Sequence, residues 1–532
     1  MGASASLKRK QAPVKLLEKA EKADSYSEIK SRQTPELVIA LCGAIGSGTS
    51  TVVTGLKKIL SSYDYKVDPI KLSDFIKKYS TDKSLATKLE GASPFNTYDL
   101  LQTEGNNLRK QYSTDILAQL AIYEITMERA KYEKSLETNQ ESHLVRRHAT
   151  IIDSLKHPDE WRLLKTVYGN MFYLDGVLCP ETIRQDRLIR FKDIPKQDAG
   201  ILIERDKYEK YENGEEFDCG QQFIKTIFHA DFFVRNLTTK QSATEKPLKR
   251  FINLLLSDNK YTPTIDEYAM HIAQATAQRS SCLSRQVGAA IVSKDNDVIS
   301  AGRNDAPKCG GGLYCEDDEI NYSCAHTAGC MSEVYKDRIE KDVNSILKKY
   351  LKDKLDDDTV KKLSREVKHK TKVKDLIEFS KSVHAEMDAI LSAARKCAFG
   401  LVGSTLYCTT FPCHQCARHI IAAGISRVFY IEPYEKSLAW QLYGDEIILD
   451  SETTDSVEGK LKILPFEGVA PRQYMELFKE REKKDRGKLK EIDLKKSKPI
   501  TEQLMDSFTD YEDKVVLNLK KSMPTLEIES AK

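Results

Sequence analysis

Two short stretches of the chain carry side chains suited to metal chemistry. His384 and Glu386 stand two residues apart, and Cys413 and Cys416 stand three apart directly after Pro412. An imidazole and two thiolates are ligands that zinc prefers, and three protein ligands leave a fourth position for water. Bound zinc lowers the pKa of that water to near 7, so it becomes a nucleophile at neutral pH. The order H-x-E and then P-C-x-x-C predicts hydrolytic deamination of a nucleobase.

Both stretches are predicted to lie at the starts of helices. Residues 382–397 have apolar side chains at helical spacing, which puts the histidine and the glutamate in the first turn. Residues 413–423 form a second predicted helix, and its two cysteines, at i and i+3, face the same way. Helix N-termini favour negative charge and lower the pKa of thiols. Two such ends brought together would surround one zinc ion.

The proposed roles follow from the chemistry of cytosine. His384, Cys413 and Cys416 are assigned as zinc ligands, and Glu386 as the general acid and base. A metal-activated water attacks C4 of the base, while the carboxyl group protonates N3 and then assists the departure of ammonia. A lone C-x-x-C has redox-active or purely structural alternatives, but the complete pattern favours the zinc site.

Composition limits the other classes of function. The 532 residues suffice for two to four domains, and a net charge of +3 argues against a constitutive polyanion binder. Twelve cysteines in so long a chain, two of them in a metal motif, indicate a reducing compartment rather than a disulfide scaffold. No apolar run reaches the length of a bilayer and no signal peptide is visible, so we expect a cytoplasmic protein without membrane contact.

A glycine-rich loop near the N-terminus has the context of a phosphate-binding loop. Residues 37–42 are typical of a buried parallel strand, and a helix is predicted to run to about Ser62. The candidate nucleotide-binding residues between them are Gly43, Gly46, Gly48, Thr49, Ser50 and Thr51. Threonine 49 stands where the P-loop pattern has lysine, which favours binding of a nucleoside triphosphate, with Mg²⁺, over phosphoryl transfer. A degenerate loop kept for packing is the alternative.

The order of predicted elements indicates an α/β protein with two domains. A helix–strand–strand–helix–strand–helix–strand series in the C-terminal half puts both metal helices on one face of a mixed sheet. The predicted boundaries are a mobile basic tail at 1–35, a P-loop NTPase-like or nucleotide-kinase-like parallel-sheet domain at 36–250, a deaminase domain at 264–480 with an insertion at 305–382, and a charged tail at 481–532.

The insertion contains a second group of soft ligands. We expect either a structural zinc site or free buried thiols here, because the spacings are wider than in C-x-x-C. The residues concerned are Cys309, Cys315, Cys324, His326 and Cys330.

These motifs resemble the deoxycytidylate deaminase family. The matching stretches are residues 284–289, 302–304, 384–387, 412–417 and 423–437. Together with the N-terminal P-loop-like domain, the arrangement resembles bacterial anti-phage dCTP/dCMP deaminases of the AvcD type. The resemblance covers nearly the whole chain apart from its ends, and it is most specific in the deaminase motifs.

The resemblance carries several implications. It implies a cytidine-deaminase-like α/β/α sandwich, conversion of dCTP or dCMP to dUTP or dUMP, and depletion of dCTP as antiviral defence. It also implies a homo-oligomer held inactive by a small RNA. By the same resemblance Asn304 contacts the sugar or the base, Arg285 assists phosphate binding, and Tyr434 borders the pocket.

Two alternatives belong to other classes. One is a deaminase of RNA or single-stranded DNA, which near-neutral charge disfavours. The other is a nucleotide-binding regulatory protein with a vestigial deaminase half, which the presence of all four zinc-site residues disfavours.

Overall fold

The chain forms two six-stranded sheets with helices on both faces of each. A computed structural model describes residues 25–139, 146–207, 209, 211–212, 215–216, 218–237, 241–327, 329–351, 354–396, 400–434, 436–449 and 459–524.

Strands and helices are numbered here in chain order over those residues. The strands are β1 (Leu37–Gly43), β2 (Lys66–Lys71), β3 (His148–Asp153), β4 (Phe172–Leu178), β5 (Tyr211–Glu212), β6 (Glu215–Glu216), β7 (Phe232–Arg235), β8 (Gly288–Val292), β9 (Val298–Arg303), β10 (Thr405–Thr410), β11 (Arg427–Glu432), β12 (Ile447–Ile448), β13 (Leu461–Pro465), β14 (Gly468–Val469), β15 (Lys484–Asp485) and β16 (Lys488–Leu489). The helices are α1 (Ser25–Ser31), α2 (Thr49–Ser62), α3 (Leu72–Lys78), α4 (Leu85–Leu89), α5 (Pro94–Gln111), α6 (Ile116–Asn139), α7 (Pro158–Tyr168), α8 (Glu181–Lys192), α9 (Lys196–Lys207), α10 (Phe223–Ile227), α11 (Gln241–Leu255), α12 (Ile265–Ala277), α13 (Met331–Leu351), α14 (Asp357–Lys370), α15 (Ala385–Arg395), α16 (His414–Ala422), α17 (Ala439–Tyr443), α18 (Tyr474–Leu477) and α19 (Asp506–Ser522).

The N-terminal sheet is parallel, as the sequence predicts. Its order is β14-β7-β4-β1-β3-β2, and only β14 is antiparallel to its neighbour. All seven residues of β1 are buried, because helices cover both faces: α2 and α11 on one, α6 and α7 on the other. Strand β1 lies between β3 and β4, so the glycine-rich loop leaves the sheet at its centre.

The C-terminal sheet is mixed, in the order β12-β13-β11-β10-β8-β9. Strands β10, β11 and β13 are parallel, whereas β8 is antiparallel to both β10 and β9. Helix α12 packs on one face, and α15 and α16 pack on the other. The predicted α/β/α sandwich, with both metal helices on the same face, is confirmed.

Parts of the two predicted tails pack against the folded domains. Residues 25–31 form α1, and the backbone N–H of Thr34 donates to Gln503 O. Helix α19 packs on α6 and buries Phe508 and Leu519. Within the predicted charged tail, the short apolar group at residues 515–519 supplies Leu519, and the partly buried Val515 and Val516 pack beside it. Residues 1–24 and 525–532 lie outside the described part of the predicted tails.

A strand from the predicted deaminase domain also pairs with the N-terminal sheet. Strand β14 adds to the edge of the N-terminal sheet beside β7, although the sequence assigned residues 264–480 to the deaminase domain alone. Glu267, at the start of α12, accepts hydrogen bonds from Val469 N and from the Arg250 guanidinium. The two halves are therefore joined by a shared sheet edge and a buried ion pair.

Candidate active site

Each predicted metal helix begins one residue after the first predicted ligand: α15 begins at Ala385 and α16 at His414. His384 is the N-cap of α15, and Cys413 is the N-cap of α16, where its thiol accepts from Cys416 N at 3.5 Å. The sequence placed both residues within the first turn. The His384 side chain makes no capping hydrogen bond, and its Nδ1 instead contacts the thiols of Cys413 and Cys416.

Close packing of α15 on the sheet positions this cluster. Gly302 in β9 lies directly under the helix, and a Cβ there would meet the backbone of Ala385 and Ala389. Ser300 on the same strand donates to Ala389 O at 2.8 Å. The helix start that carries His384 and Glu386 is therefore held at a fixed distance from β9.

The cluster has the donor set and the dimensions of a zinc site. His384 Nδ1 lies 3.3 Å from the Sγ of Cys413 and 3.3 Å from the Sγ of Cys416. All three ligand atoms lie within 4.8 Å of one another. These separations leave space for an ion at about 2.0–2.3 Å from each atom. In the part of the chain that the structure describes, no other group of ligand atoms converges in this way.

The protonation states also suit a metal. A hydrogen bond from Cys416 and the adjacent His384 lower the pKa of Cys413 to about 4, against the effect of burial. Burial disfavours the charged imidazole, but Cys413 and Glu386 outweigh it and raise the pKa of His384 to about 9. Burial raises the pKa of Cys416. A divalent ion would replace these shared protons, because its ligands bind in their deprotonated forms.

Glu386 lies beside the cluster and is buried. The Cys416 thiol donates to its Oε2 at 3.3 Å. Burial, followed by the charge on Cys413, raises the pKa of the Glu386 carboxyl above its usual value. A raised pKa brings a carboxyl group closer to the range that general acid–base catalysis favours.

These residues open into a cavity of about 620 Å³. That volume is within the range of about 300–1,000 Å³ typical of small-molecule sites. The three predicted substrate residues, Asn304, Arg285 and Tyr434, all line it. The Asn304 side chain also holds the adjoining loop, since it donates to Arg285 O and accepts from Val287 N, both at 2.7 Å. Arg285 pairs with Glu432 at 2.6 Å.

The cysteines of the insertion do not form the predicted second metal group among the described residues. Cys324 and Cys330 line the cavity together with Cys282, which the sequence did not single out. Cys309 is exposed, and the Cys315 thiol donates to Asp318. His326 Nδ1 contacts the Ser323 hydroxyl at 3.0 Å. The five side chains thus divide among the cavity wall, the surface and local hydrogen bonds, which favours free thiols, the alternative to a second zinc site.

A second cavity, of about 690 Å³, surrounds the glycine-rich loop. Gly46 and Gly48 have φ angles of 79° and 81°, and a side chain at Gly46 would collide with Arg184 O. All six predicted loop residues line the cavity, together with Lys71 at the end of β2, Asp153 at the end of β3 and Lys156 three residues later.

A lysine that the sequence analysis missed approaches this loop. Lys156 Nζ donates to Gly43 O at 2.6 Å and pairs with Asp206 at 2.8 Å. Asp206 in turn accepts from Ile45 N at 2.7 Å. The signal available in the sequence was the position of Lys156, three residues after the acid that ends β3.

Comparison with known proteins agrees with this geometry. Residues 263–432 match the profile of the cytidine and deoxycytidylate deaminase zinc-binding region. The deoxycytidylate deaminase of Mycobacterium phage D29 is 32% identical over 168 residues, which are 32% of this chain and 94% of the relative. The chain belongs to the cytidine and deoxycytidylate deaminase family. The deoxycytidylate deaminase of Enterobacteria phage T2 is 29% identical over 168 residues, 32% of this chain and 80% of the relative.

Among solved structures, the dCMP deaminase of cyanophage S-TIM5 in apo form is 20% identical, with a TM-score of 0.20. The alignment covers 38% of this chain and 99% of that structure. Within the described residues of this deaminase, no helix is both long enough and apolar enough to cross a bilayer.

Proposed function

We propose that this protein deaminates the cytosine of deoxycytidine nucleotides, dCMP or dCTP, to give dUMP or dUTP and ammonia. The observation that carries the proposal is the buried Glu386 carboxyl beside the His384–Cys413–Cys416 cluster, inside a nucleotide-sized cavity. The names of the phage relatives support the same substrate class.

The residues divide the reaction between them. His384, Cys413 and Cys416 would hold the zinc ion, which supplies a water of lowered pKa. Glu386 would take one proton from that water and deliver it to N3 as the C4–O bond forms. It would then take the second proton from the oxygen on C4 and deliver it to the amino group, which leaves as ammonia when the C4–N bond breaks. Burial raises the pKa of the Glu386 carboxyl group, in the direction that suits this role. Phe411 and Tyr434 line the same cavity and would exclude bulk water from the base.

The test is ammonia release from dCMP, dCTP, CMP and a cytosine-containing oligonucleotide. We expect Glu386→Ala to lose at least about 10²-fold in kcat, the contribution usual for a general acid–base group, and to retain one zinc per chain. Glu378→Ala is the matched control, because Glu378 is exposed and does not line the cavity. Near-normal turnover by Glu386→Ala would refute the assignment, and turnover of the oligonucleotide alone would favour the nucleic-acid alternative.

We also propose that the N-terminal cavity binds the phosphates of a nucleoside triphosphate, with Mg²⁺ near Ser50. Two observations support this: the cavity includes the start of α2, whose N-cap Gly48 has no side-chain cap, and Lys156 brings a cation to the loop at Gly43 O. In this proposal the N-terminal domain senses a nucleotide and does not transfer a phosphoryl group. The deaminase half remains active, unlike in the regulatory alternative, where it is vestigial.

Thr49→Glu tests the N-terminal proposal. An acidic residue is favourable in the first turn of a helix, so folding is kept, but its charge occupies the place of a phosphate. We expect ATP or GTP binding, measured by calorimetry, to weaken by at least about tenfold, the effect of one lost charged contact. Thr54→Glu, on the exposed face of the same helix, is the control. Equal binding by both variants would refute the site.

Three further proposals come from the resemblance alone: a homo-oligomer, inhibition by a small RNA, and depletion of dCTP during phage infection. Light scattering of the purified chain tests the first. Co-purification of RNA, followed by nuclease treatment and activity measurement, tests the second. Nucleotide pools of infected cells carrying wild type or Glu386→Ala test the third.

A further inference from the structure

The wall of the deaminase cavity contains an excess of positive charge. Six cationic side chains line it, whereas besides Glu386 only Glu333 and Asp375 are acidic. The whole chain has a net charge of only +3, so this concentration is local. The cationic residues are Lys225, Arg285, Lys336, Lys374, Lys381 and Lys436.

Two of these lysines are held together by the backbone. Lys336 Nζ and Lys436 Nζ both donate to Lys374 O, at 3.1 and 3.2 Å. Lys336 projects from α13 of the insertion, and its side chain is only 12% exposed. Asp375 pairs with Lys436 at 3.2 Å and Glu333 with Lys336 at 3.6 Å. Two ammonium groups fixed on one carbonyl oxygen form a site with geometry suited to a phosphate group.

The N-terminal half supplies a third lysine. Lys225 lies on α10, and Ile224 and Phe228 of the same short segment line the cavity beside it. None of these three residues falls within the region that matches the deaminase family, residues 263–432. The deaminase cavity is therefore completed by a segment outside the region that matches the family.

The lysines and the metal cluster belong to one cavity. Tyr434 lies where Cys413, Arg285 and Asp375 all influence its hydroxyl. A nucleotide whose cytosine reached His384 and Glu386 would have its 5′-phosphates within the same cavity, whose wall includes Lys225, Lys336 and Lys436.

We propose that Lys225, Lys336 and Lys436 bind the 5′-phosphates of the nucleotide substrate. This inference rests on the proposed deaminase function and deepens it, because it names the phosphate-binding residues. It also explains why the domains are joined: α10 and the insertion each contribute one side of the phosphate site. Arg285, by contrast, is paired with Glu432 and positions the loop next to Asn304.

The experiment compares deoxycytidine, dCMP and dCTP as substrates of the zinc-loaded full chain. Lys225→Ala and Lys336→Ala should raise KM for the nucleotides by about 10- to 100-fold, the effect of one lost charge-assisted hydrogen bond. The KM for deoxycytidine and the kcat for all three should change by less than about threefold, because the reacting atoms are untouched. Lys225→Arg should restore most of the nucleotide affinity.

Matched controls are Lys249→Ala on α11 and Lys348→Ala on α13, since neither residue lines the cavity. Because Lys225 is exposed, its variant keeps the test valid even if Lys336→Ala is unstable. Unchanged nucleotide KM in both variants, or an equal change for deoxycytidine, would overturn the proposal.

Failure of the proposed function has a different signature. If the wild-type chain releases no ammonia from any substrate, the phosphate site can still be tested. Calorimetry then measures the affinity of the wild type and of the lysine variants for dCTP and for inorganic triphosphate. Loss of binding in the variants would then support the phosphate site while the deaminase proposal fails. Equal binding by wild type and variants would overturn the phosphate site.

Discussion

The attachment of the C-terminal helix can be tested through one buried arginine. Arg129 on α6 pairs with Glu36 at 2.5 Å and with Glu512 of α19 at 3.1 Å. Its guanidinium also lies 4.8 Å from the ring centre of Phe508. The three charged side chains are only 8%, 3% and 2% exposed. A single side chain thus connects the start of β1, helix α6 and the C-terminal helix.

We expect Arg129→Met to destabilise the protein by about 3–5 kcal/mol, the cost of leaving a buried charge without its partner. Glu36 retains Arg146 at 3.2 Å, so the cost falls mainly on Glu512. The double variant Arg129→Met/Glu512→Leu should recover most of the loss, because an apolar replacement of the whole pair is often nearly neutral. Urea unfolding followed by far-ultraviolet circular dichroism measures all three proteins.

The effect should also depend on pH. Burial raises the pKa of Glu512 even in the presence of Arg129. A carboxyl whose folded pKa is raised loses its contribution to stability as pH rises through that pKa. Removing Arg129 raises that pKa further, so the deficit of Arg129→Met should be larger at pH 8 than at pH 5. A deficit that is equal at both pH values, or a midpoint identical to wild type, would refute the reasoning.

Two other predictions concern single positions. Asp175 in β4 is fully buried, and neither carboxylate oxygen has a hydrogen-bond partner among the described residues. Burial raises the pKa of this carboxyl group, and the nearby charge of Asp231 adds to the effect. The folded chain therefore retains a proton that the unfolded chain releases, so wild-type stability falls by up to about 1.4 kcal/mol per pH unit above pH ~4. Asp175→Asn should remove that slope in urea midpoints measured from pH 4 to 8, and an unchanged slope would contradict it. Gly302→Ala should displace α15 and lower kcat by about 10²-fold with weaker zinc retention, whereas Gly200→Ala, where a Cβ meets nothing, should have neither effect.

Much of the site was predictable because its determinants are local. The ligands His384, Cys413 and Cys416 each lie at a helix start, and helical periodicity is written in the adjacent residues. Their convergence followed from the order of strands and helices, since α15 and α16 had to cover the same sheet face. The position of the glycine-rich loop followed from the apolar strand β1 in the same way.

The details of the site depended on contacts that sequence spacing does not encode. The sequence placed His384 and Cys413 inside helices, but packing on the sheet makes them N-caps, and the five insertion ligands do not converge. Lys156 reaches Gly43 only because β3 lies beside β1.

The sequence by itself therefore determined the local motifs: a histidine and a glutamate at one helix start, two cysteines at another, and a glycine-rich loop after a buried strand. The members of each motif lie within a few residues of one another, so they can be recognised without the fold. Tertiary structure alone decided what surrounds that chemistry. Helix α10 lines the deaminase cavity although it lies more than 150 residues before His384, and β14 adds to the first sheet. Such contacts join segments distant in sequence, and their energy comes from burial that exists only after the chain has folded.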